Sequence, residues 1–392
     1  MSPFNGILNK RAWNALYWFE FLNLFVSMLL ELTSVIQTTA EGSFIDLFTM
    51  VPCVGYLTLG MVKSFKITYN RPVYENLISE LRDMWPRNTV TEEEYNIMYA
   101  SCKQVKYVLK GYFYCNIVLV LFFVVPPYIV IFRCMLGEDI PLKLAFSYWF
   151  PFDPYQHGRF EAIIVLQTLH CYLSVCLMLI ADLLFCIYLN QITTQLDLLA
   201  FRIKKLFYVP IDDQLIETYP LAKYTTEQIK EHLEATVGNK WGITYQNQLV
   251  EIVKRHRDLI RLSTDVEGEF TFALLINFIN SSVIICFCGF CCVFVEKWNE
   301  INYKLFLSTA IVQIWLLCWY GQKLLDSSQG IFDAVYNSGW YNVPHNIKSS
   351  LIIIFYRAQK EVFVTTYGFS IISMRSYSTL MAAGLFGSNM GV

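Results

Sequence analysis

The sequence predicts an all-α polytopic membrane protein: seven transmembrane helices, a cytoplasmic N-terminus, and cytosolic helical extensions that form an anchor domain. Three observations predict it. Of its 392 residues 55% are hydrophobic and 16% charged, whereas an average soluble domain carries about 25% charged residues. The apolar residues are gathered in blocks of about twenty, the length that crosses the hydrocarbon core of a bilayer. Lysine and arginine are concentrated in alternate connections between the blocks. With a mean hydropathy of +0.40, these features exclude a soluble enzyme, a nucleic-acid binder and a disordered regulator.

Six blocks read as spans in order: Tyr17–Thr38, Phe44–Val62, Tyr112–Phe132, Ala162–Ala181, Phe272–Val295 and Tyr303–Tyr320. Pro126 and Pro127 each remove a helix hydrogen bond and predict a kink in the third. A seventh region joins a short amphipathic helix, Ile347–Gln359, to a moderately apolar stretch, Val364–Phe386, rich in Ser, Thr and Gly. It reads as one interrupted final element, a flanking helix followed by a membrane helix. Helical periodicity continues beyond the spans over Asn190–Leu206, Tyr245–Leu262 and Gln322–Tyr336, which predicts cytosolic extensions of the fourth, fifth and sixth spans. Their apolar faces need partners, within the chain or in other subunits. The polar stretch Val209–Lys240 between them reads as mobile.

Twenty-one Lys and Arg fall on one side of these spans and five on the other. The crowded side, which holds Lys10 and Arg11, is predicted to be the cytoplasm, and seven crossings then put the C-terminus outside. No cleavable signal peptide is expected, because the first apolar run contains Glu20 and Glu31 and has no small-residue cleavage site. This topology is the reverse of a G-protein-coupled receptor's. The third span ends Ile131-Phe132-Arg133-Cys134 on the outer side, without an acidic–Arg–Tyr triplet, and the last lacks Asn-Pro-x-x-Tyr.

The domain plan follows from the spans. Residues 1–181 hold the N-terminal tail and spans one to four, and residues 182–271 the extensions of spans four and five, with the 209–240 loop. Residues 272–321 hold spans five and six. Residues 322–360 carry the cytosolic end of span six and the short anchor helix, and 361–392 the last span with a short extracellular end.

Residues that could carry chemistry are few. The five histidines are scattered, with no i,i+4 pair beside a carboxylate, no phosphate-binding glycine loop and no nucleophile elbow. The chain is therefore not expected to be an enzyme or to need a cofactor or metal. Cys286, Cys288, Cys291 and Cys292 lie among Phe, Val and Ile and read as packing. His170, inside the fourth span, reads as a hydrogen-bonded structural histidine. Glu20, Glu31 and Asp46 lie near span ends, where headgroups or a mouth reduce the cost of a charge. Asp182, at the inner end of span four, is expected to pair with a neighbouring cation. The outer halves of the middle spans are aromatic and apolar. A cavity between them would offer Phe48, Cys53, Phe122, Tyr128, Gln167, Tyr172, Phe287 and Phe290, a wall suited to a small apolar ligand oriented by one or two polar contacts. At each of these positions ordinary helix packing is the competing reading.

The C-terminal third adds a resemblance. Ala334-Val335-Tyr336-Asn337-Ser338-Gly339-Trp340-Tyr341, then Pro344, Lys348 and Arg357-Ala358-Gln359-Lys360, resembles the signature before the last span of insect odorant receptors. Ser376-Tyr377-Ser378-Thr379-Leu380 resembles that family's terminal motif, with Thr379 and Leu380 where an aromatic pair is common and Arg375 where many members have a small residue. Gustatory receptors are the rival within the same class; Thr366-Tyr367 is shared with them, but their following Gln-Phe is missing.

The resemblance implies the odorant-binding subunit of a heterotetrameric, odorant-gated, non-selective cation channel that assembles with a shared coreceptor. Its expected partners are coreceptor subunits, a small volatile apolar odorant, membrane lipid, and permeant monovalent and divalent cations, with no nucleic acid. Its expected location is the plasma membrane of olfactory sensory neuron dendrites. Pore and gate residues mapped on this basis are Tyr377, Leu380, Met381, Ala382 and Leu385. Subunit-interface residues are Trp340, Tyr341, Leu351, Phe355, Arg357 and Gln359. A gustatory-type or homomeric receptor channel is the alternative; a G-protein-coupled receptor or a transporter fits least.

Overall fold

The computed structural model describes residues 7–42, 44–86, 90–138, 140–156, 158–206, 243–294, 301–338, 340 and 345–387. Among them the regular structure is entirely helical: α1 Ile7–Ala40, α2 Phe44–Tyr69, α3 Arg71–Asp83, α4 Glu92–Met135, α5 Arg159–Leu206, α6 Ile243–Phe294, α7 Ile301–Tyr336, α8 His345–Ala358 and α9 Met374–Gly387. Five of these, α1, α4, α5, α6 and α7, contain stretches long and apolar enough to cross a membrane. Each of the six predicted spans lies within one helix, apart from Val295 at the end of the fifth, which is outside the described residues. Residues 209–240 also fall outside them.

The helices are longer than the spans. At 1.5 Å per residue, the 48 residues of α5 reach about 72 Å, more than twice the roughly 30 Å apolar core of a bilayer. Its second half therefore projects beyond the membrane-length stretch, as do the first half of α6 and the end of α7. Helix α4 likewise begins at Glu92, twenty residues before the predicted span. A capping box starts it: the Glu94 amide donates to Thr91 Oγ1 at 3.4 Å, and the Thr91 amide donates to Glu94 Oε2 at 3.3 Å. The helix runs unbroken through Pro126 and Pro127.

α5 and α7 pack together along the centre of the bundle, with α4, α2 and α6 around them and α1 against α2. The core runs continuously from Tyr56 and Leu119 to Ile203, Leu259 and Ile331, so the membrane-length helices and their projections form one packed body. Polar pairs fix the register of the projections. Ser101 and Thr194 share a 2.6 Å hydrogen bond, Arg202 Nε donates to Glu94 Oε1 at 2.7 Å, and Trp85 Nε1 donates to Gln191 Oε1 at 2.7 Å.

Residues 361–373 correct the sequence-based reading of the last element. The stretch from Val364 is not helical until Met374. It folds instead into a tight turn with one antiparallel bridge between Thr365 and Ile371, passing through Tyr367 (φ 53°) and Gly368 (φ 79°). The turn is pinned to α6 and α7. The Thr365 amide donates to Glu267 Oε1 at 3.0 Å, Thr271 Oγ1 donates to the Thr365 carbonyl at 3.0 Å, and the Val362 amide donates to Ser328 Oγ at 3.0 Å. A Cβ on Gly321 of α7 would collide with the Ile372 carbonyl oxygen, so glycine there permits the close approach. These local hydrogen bonds replace a further turn of helix.

His256 is buried on the projecting part of α6. Burial and, after it, the Arg357 guanidinium of α8 push its imidazole down to about 4. An unfolded histidine titrates near 6.5, so acidification protonates the unfolded chain before the packed one. Stability held above pH 6.5 is then lost at about 1.4 kcal/mol per pH unit as pH falls towards 4. The melting temperature of the detergent-solubilised protein is accordingly expected to drop between pH 7 and 5, and less steeply in His256→Gln. Equal slopes in the two proteins would contradict this account of His256.

Candidate functional site: an aromatic cavity above a buried ion pair

A cavity of about 60 Å³ lies at the end of the bundle opposite the projections. Its wall is built from Glu31 of α1; Cys53, Tyr56 and Leu57 of α2; Leu119, Val120 and Phe123 of α4; His170, Cys171, Ser174 and Val175 of α5; and Phe306 of α7. Phe146 and Tyr148 come from the α4–α5 connection, which folds inward across the opening.

The inward fold has clear causes. Five of the seven residues from Phe146 to Phe152 are aromatic, too much apolar surface to leave in water. Gln167, fully buried on α5, holds the strand of chain like a backbone partner. Its Nε2 donates to the Phe146 carbonyl at 2.7 Å, and its Oε1 accepts from the Phe146 amide at 3.3 Å. The Trp149 amide donates to the Leu30 carbonyl at 3.2 Å. Phe123 stacks on Phe146 at 5.8 Å and meets Phe306 edge-on at 6.2 Å, while Tyr56 meets Phe306 edge-on at 5.5 Å.

Sequence-based expectations meet this cavity unevenly. Cys53 lines it. Gln167 stands behind it as the clasp of the connection. Phe122, Tyr128, Tyr172 and Phe287 are exposed on the outside of the chain; on α4 it is Phe123 that lines the wall. Tyr128 shares a 3.2 Å hydrogen bond with Thr168. Side chains of Phe48 and Phe290 lie outside the described residues. Glu31, expected near headgroups or a mouth, is instead 4% exposed in the cavity wall. His170, expected to be hydrogen-bonded and structural, has Nδ1 at 3.4 Å from the Tyr148 hydroxyl, while its buried Nε2 has no partner.

Below the cavity the polar core continues. Tyr56 donates to Asn116 Oδ1 at 3.0 Å, Asn116 Nδ2 donates to the Tyr112 carbonyl at 2.9 Å, and Tyr112 donates to Asp182 Oδ2 at 3.0 Å. Asp182 forms the expected ion pair, with Lys63 of α2 at 2.5 Å; the two side chains are 2% and 4% exposed. Gln313 of α7 donates to Asp182 Oδ2 at 2.7 Å, and Lys63 reaches Asn277 Oδ1 of α6 at 3.4 Å. Helices α2, α4, α5 and α7 thus meet at one carboxylate, α6 joins them through Lys63, and α6 and α7 are the two that carry α9.

On α9 itself Tyr377, Leu380 and Met381 are partly buried, and Tyr377 and Leu380 pack against the core. Arg375, Ser378, Thr379 and Ala382 form an exposed stripe at i, i+3, i+4 and i+7 spacing. The Leu385 side chain is outside the described residues. On α8 Leu351 is buried against this chain's own core and Phe355 stacks on Phe332 of α7 at 4.4 Å. Ile352, Ile353 and Tyr356 project outward together with Gln359, and Arg357 is half-buried. Trp340 is exposed, and Tyr341 lies outside the described residues. No group of three or more potential metal ligands occurs among the described residues.

Known proteins share both the sequence and the shape. Odorant receptor 85b of Drosophila melanogaster is 26% identical over 95% of this chain and 89% of its own length. Odorant receptor 85c of the same species is 23% identical over 93% and 87%. The solved structure of the insect olfactory receptor OR5 from Machilis hrabei in complex with eugenol superposes with a TM-score of 0.78, at 15% identity, covering all of this chain and 93% of that one. A second OR5 structure gives 0.80 at 14% identity. Residues 43–384 match the 7tm Odorant receptor family as a whole, so the chain is a receptor rather than an enzyme and belongs to that family.

Proposed function

We propose that this chain is the odorant-binding subunit of an odorant-gated, non-selective cation channel, assembled as a heterotetramer with a shared coreceptor in the plasma membrane of olfactory sensory neuron dendrites. One observation carries the ligand-binding half: an aromatic-walled cavity with a few polar groups, partly roofed by a connection clasped through Gln167. That is the composition of small-molecule sites in general.

Seven crossings follow if α2 and α9 join the five apolar helices. The 26 residues of α2 reach about 39 Å, enough to span. The 14 described residues of α9 reach about 21 Å, and their exposed stripe of Arg375, Ser378, Thr379 and Ala382 suits a helix that lines a water-filled pore. The charge asymmetry then puts the cavity outside and the projections of α5, α6 and α7 in the cytosol. There the outward Ile352, Ile353 and Tyr356 of α8 offer an apolar face to a neighbouring subunit. A ligand opens the pore only by binding the open state better than the closed one. The residues between cavity and α9 supply a continuous packed route, by way of α6 and α7.

The exposed stripe of α9 is assigned to the pore. Ala382→Trp, co-expressed with the coreceptor, is expected to cut saturating odorant current about tenfold at unchanged surface density. Arg375→Glu is expected to raise calcium permeability relative to sodium, because it exchanges a fixed positive charge for a negative one. Unaltered current amplitude and reversal potential in both variants would remove α9 from the pore.

A further inference from the structure

We infer that the cavity takes a short-chain volatile alcohol, and that His170 and Glu31 are the residues that read its hydroxyl; the inference rests on the cavity being the odorant site. His170 is 4% exposed, lines the cavity, and keeps Nε2 buried with no hydrogen-bond partner. A buried polar atom left unpaired costs about 1–3 kcal/mol, so its partner is expected to arrive with a ligand. Two neighbouring hydroxyls are already engaged elsewhere. Tyr148 faces Nδ1, on the other side of the ring, and Tyr56 donates away from the cavity to Asn116.

Glu31 supplies the second half of the reading. Its carboxyl is equally buried in the same wall, and neither Lys nor Arg is among the cavity-lining residues. A carboxyl in such surroundings calls for a hydrogen-bonding or charged partner. Within about 60 Å³, where a water-sized probe fills about 10–15 Å³, a ligand that meets one group is close to the other.

The chemistry of the two groups selects among small volatiles. A hydroxyl donates and accepts at once. It therefore satisfies His170 Nε2 in either tautomer of the ring, and where Nε2 carries the proton the hydroxyl accepts from it and turns its own O–H to the Glu31 carboxylate. Ketones, esters and ethers only accept. An ammonium only donates, and must shed its own hydration to enter. The rings of Phe123, Phe146 and Phe306 accommodate a short hydrocarbon tail, and the small volume limits its length.

The test is a dose–response comparison in cells expressing the full chain with the coreceptor, using 1-pentanol, 2-pentanone, pentylamine and pentane. Pentanol is expected to activate at a concentration at least about tenfold below the ketone and the amine. In His170→Phe and in Glu31→Gln the alcohol-to-ketone ratio is expected to fall to within about threefold, while the ketone response persists. The ratio in the unaltered chain needs no variant, so a folding failure in either substitution leaves the inference testable. Preference for pentylamine would make Glu31 a cation partner and overturn the hydroxyl reading. A preferred ketone, or an alcohol preference unmoved by both substitutions, would overturn it equally. All of these outcomes leave the cavity as the odorant site. Responses that survive a cavity-filling Cys53→Phe would instead show that the ligand binds elsewhere, and the underlying reading would fail first.

Discussion

Asp182→Ala is expected to remove most of the receptor from the cell surface. The carboxylate is 2% exposed and holds Lys63 of α2, Tyr112 of α4 and Gln313 of α7. Its removal leaves an ammonium buried without a counter-charge and two polar side chains without an acceptor. Breaking a buried pair from one side costs about 3–5 kcal/mol, a large share of the roughly 5–15 kcal/mol that keeps a typical protein folded. Surface biotinylation is expected to show a reduction of at least severalfold. The paired change Lys63→Met with Asp182→Leu deletes both charges and fills the space with apolar atoms. It is expected to recover much of the loss, because exchanging a buried ion pair for well-packed hydrophobic residues is often close to neutral. Wild-type abundance of Asp182→Ala would show that the four helices do not depend on this carboxylate.

The second large effect concerns the cavity. Cys53→Phe places a ring where a small void and a thiol now stand, so a ligand that depends on that void loses its place. Half-maximal odorant concentration is expected to rise at least roughly a hundredfold, equivalent to about 3 kcal/mol of lost binding. Overpacking adds strain of about 1–3 kcal/mol, so surface density has to be measured alongside current. Phe122→Trp provides the contrast. That ring is 37% exposed and is not part of the cavity wall, and its enlargement is expected to leave the response within about threefold. Equal sensitivity at the two positions would place the odorant outside the cavity.

These expectations draw on features that differ in how legible they were from sequence. Blocks of about twenty apolar residues located the six long helices, because the bilayer imposes a length that composition alone reveals. Asp182 announced a partner by being a carboxylate at the end of an apolar block, although Lys63, 119 residues away in the chain, could be named only once α2 and α5 were seen to pack. The cavity wall was harder to read. Phe122 and Phe123 are chemically identical neighbours about 100° apart on one helix, and nothing local says which faces inward. Contributions from the α4–α5 connection were missed, yet a signal existed in the five aromatics of Phe146–Phe152. The Thr91–Glu94 capping box likewise marked the true start of α4. Residues 361–373 misled because a moderately apolar stretch rich in Ser, Thr and Gly fits a helix by composition. Its actual turn depends on Glu267, Thr271 and Ser328, contributed by other helices.

The central claim is that an odorant opens an ion channel of which this chain is the ligand-binding subunit. Whole-cell recording tests it most directly, in cells expressing the chain with and without the coreceptor, under a panel of volatiles and with G-protein signalling blocked. The account predicts a rapid, non-selective cation current that appears only when both subunits are present and an odorant is applied. A response that vanishes under the block, or silence from both conditions with receptor confirmed at the surface, would contradict it.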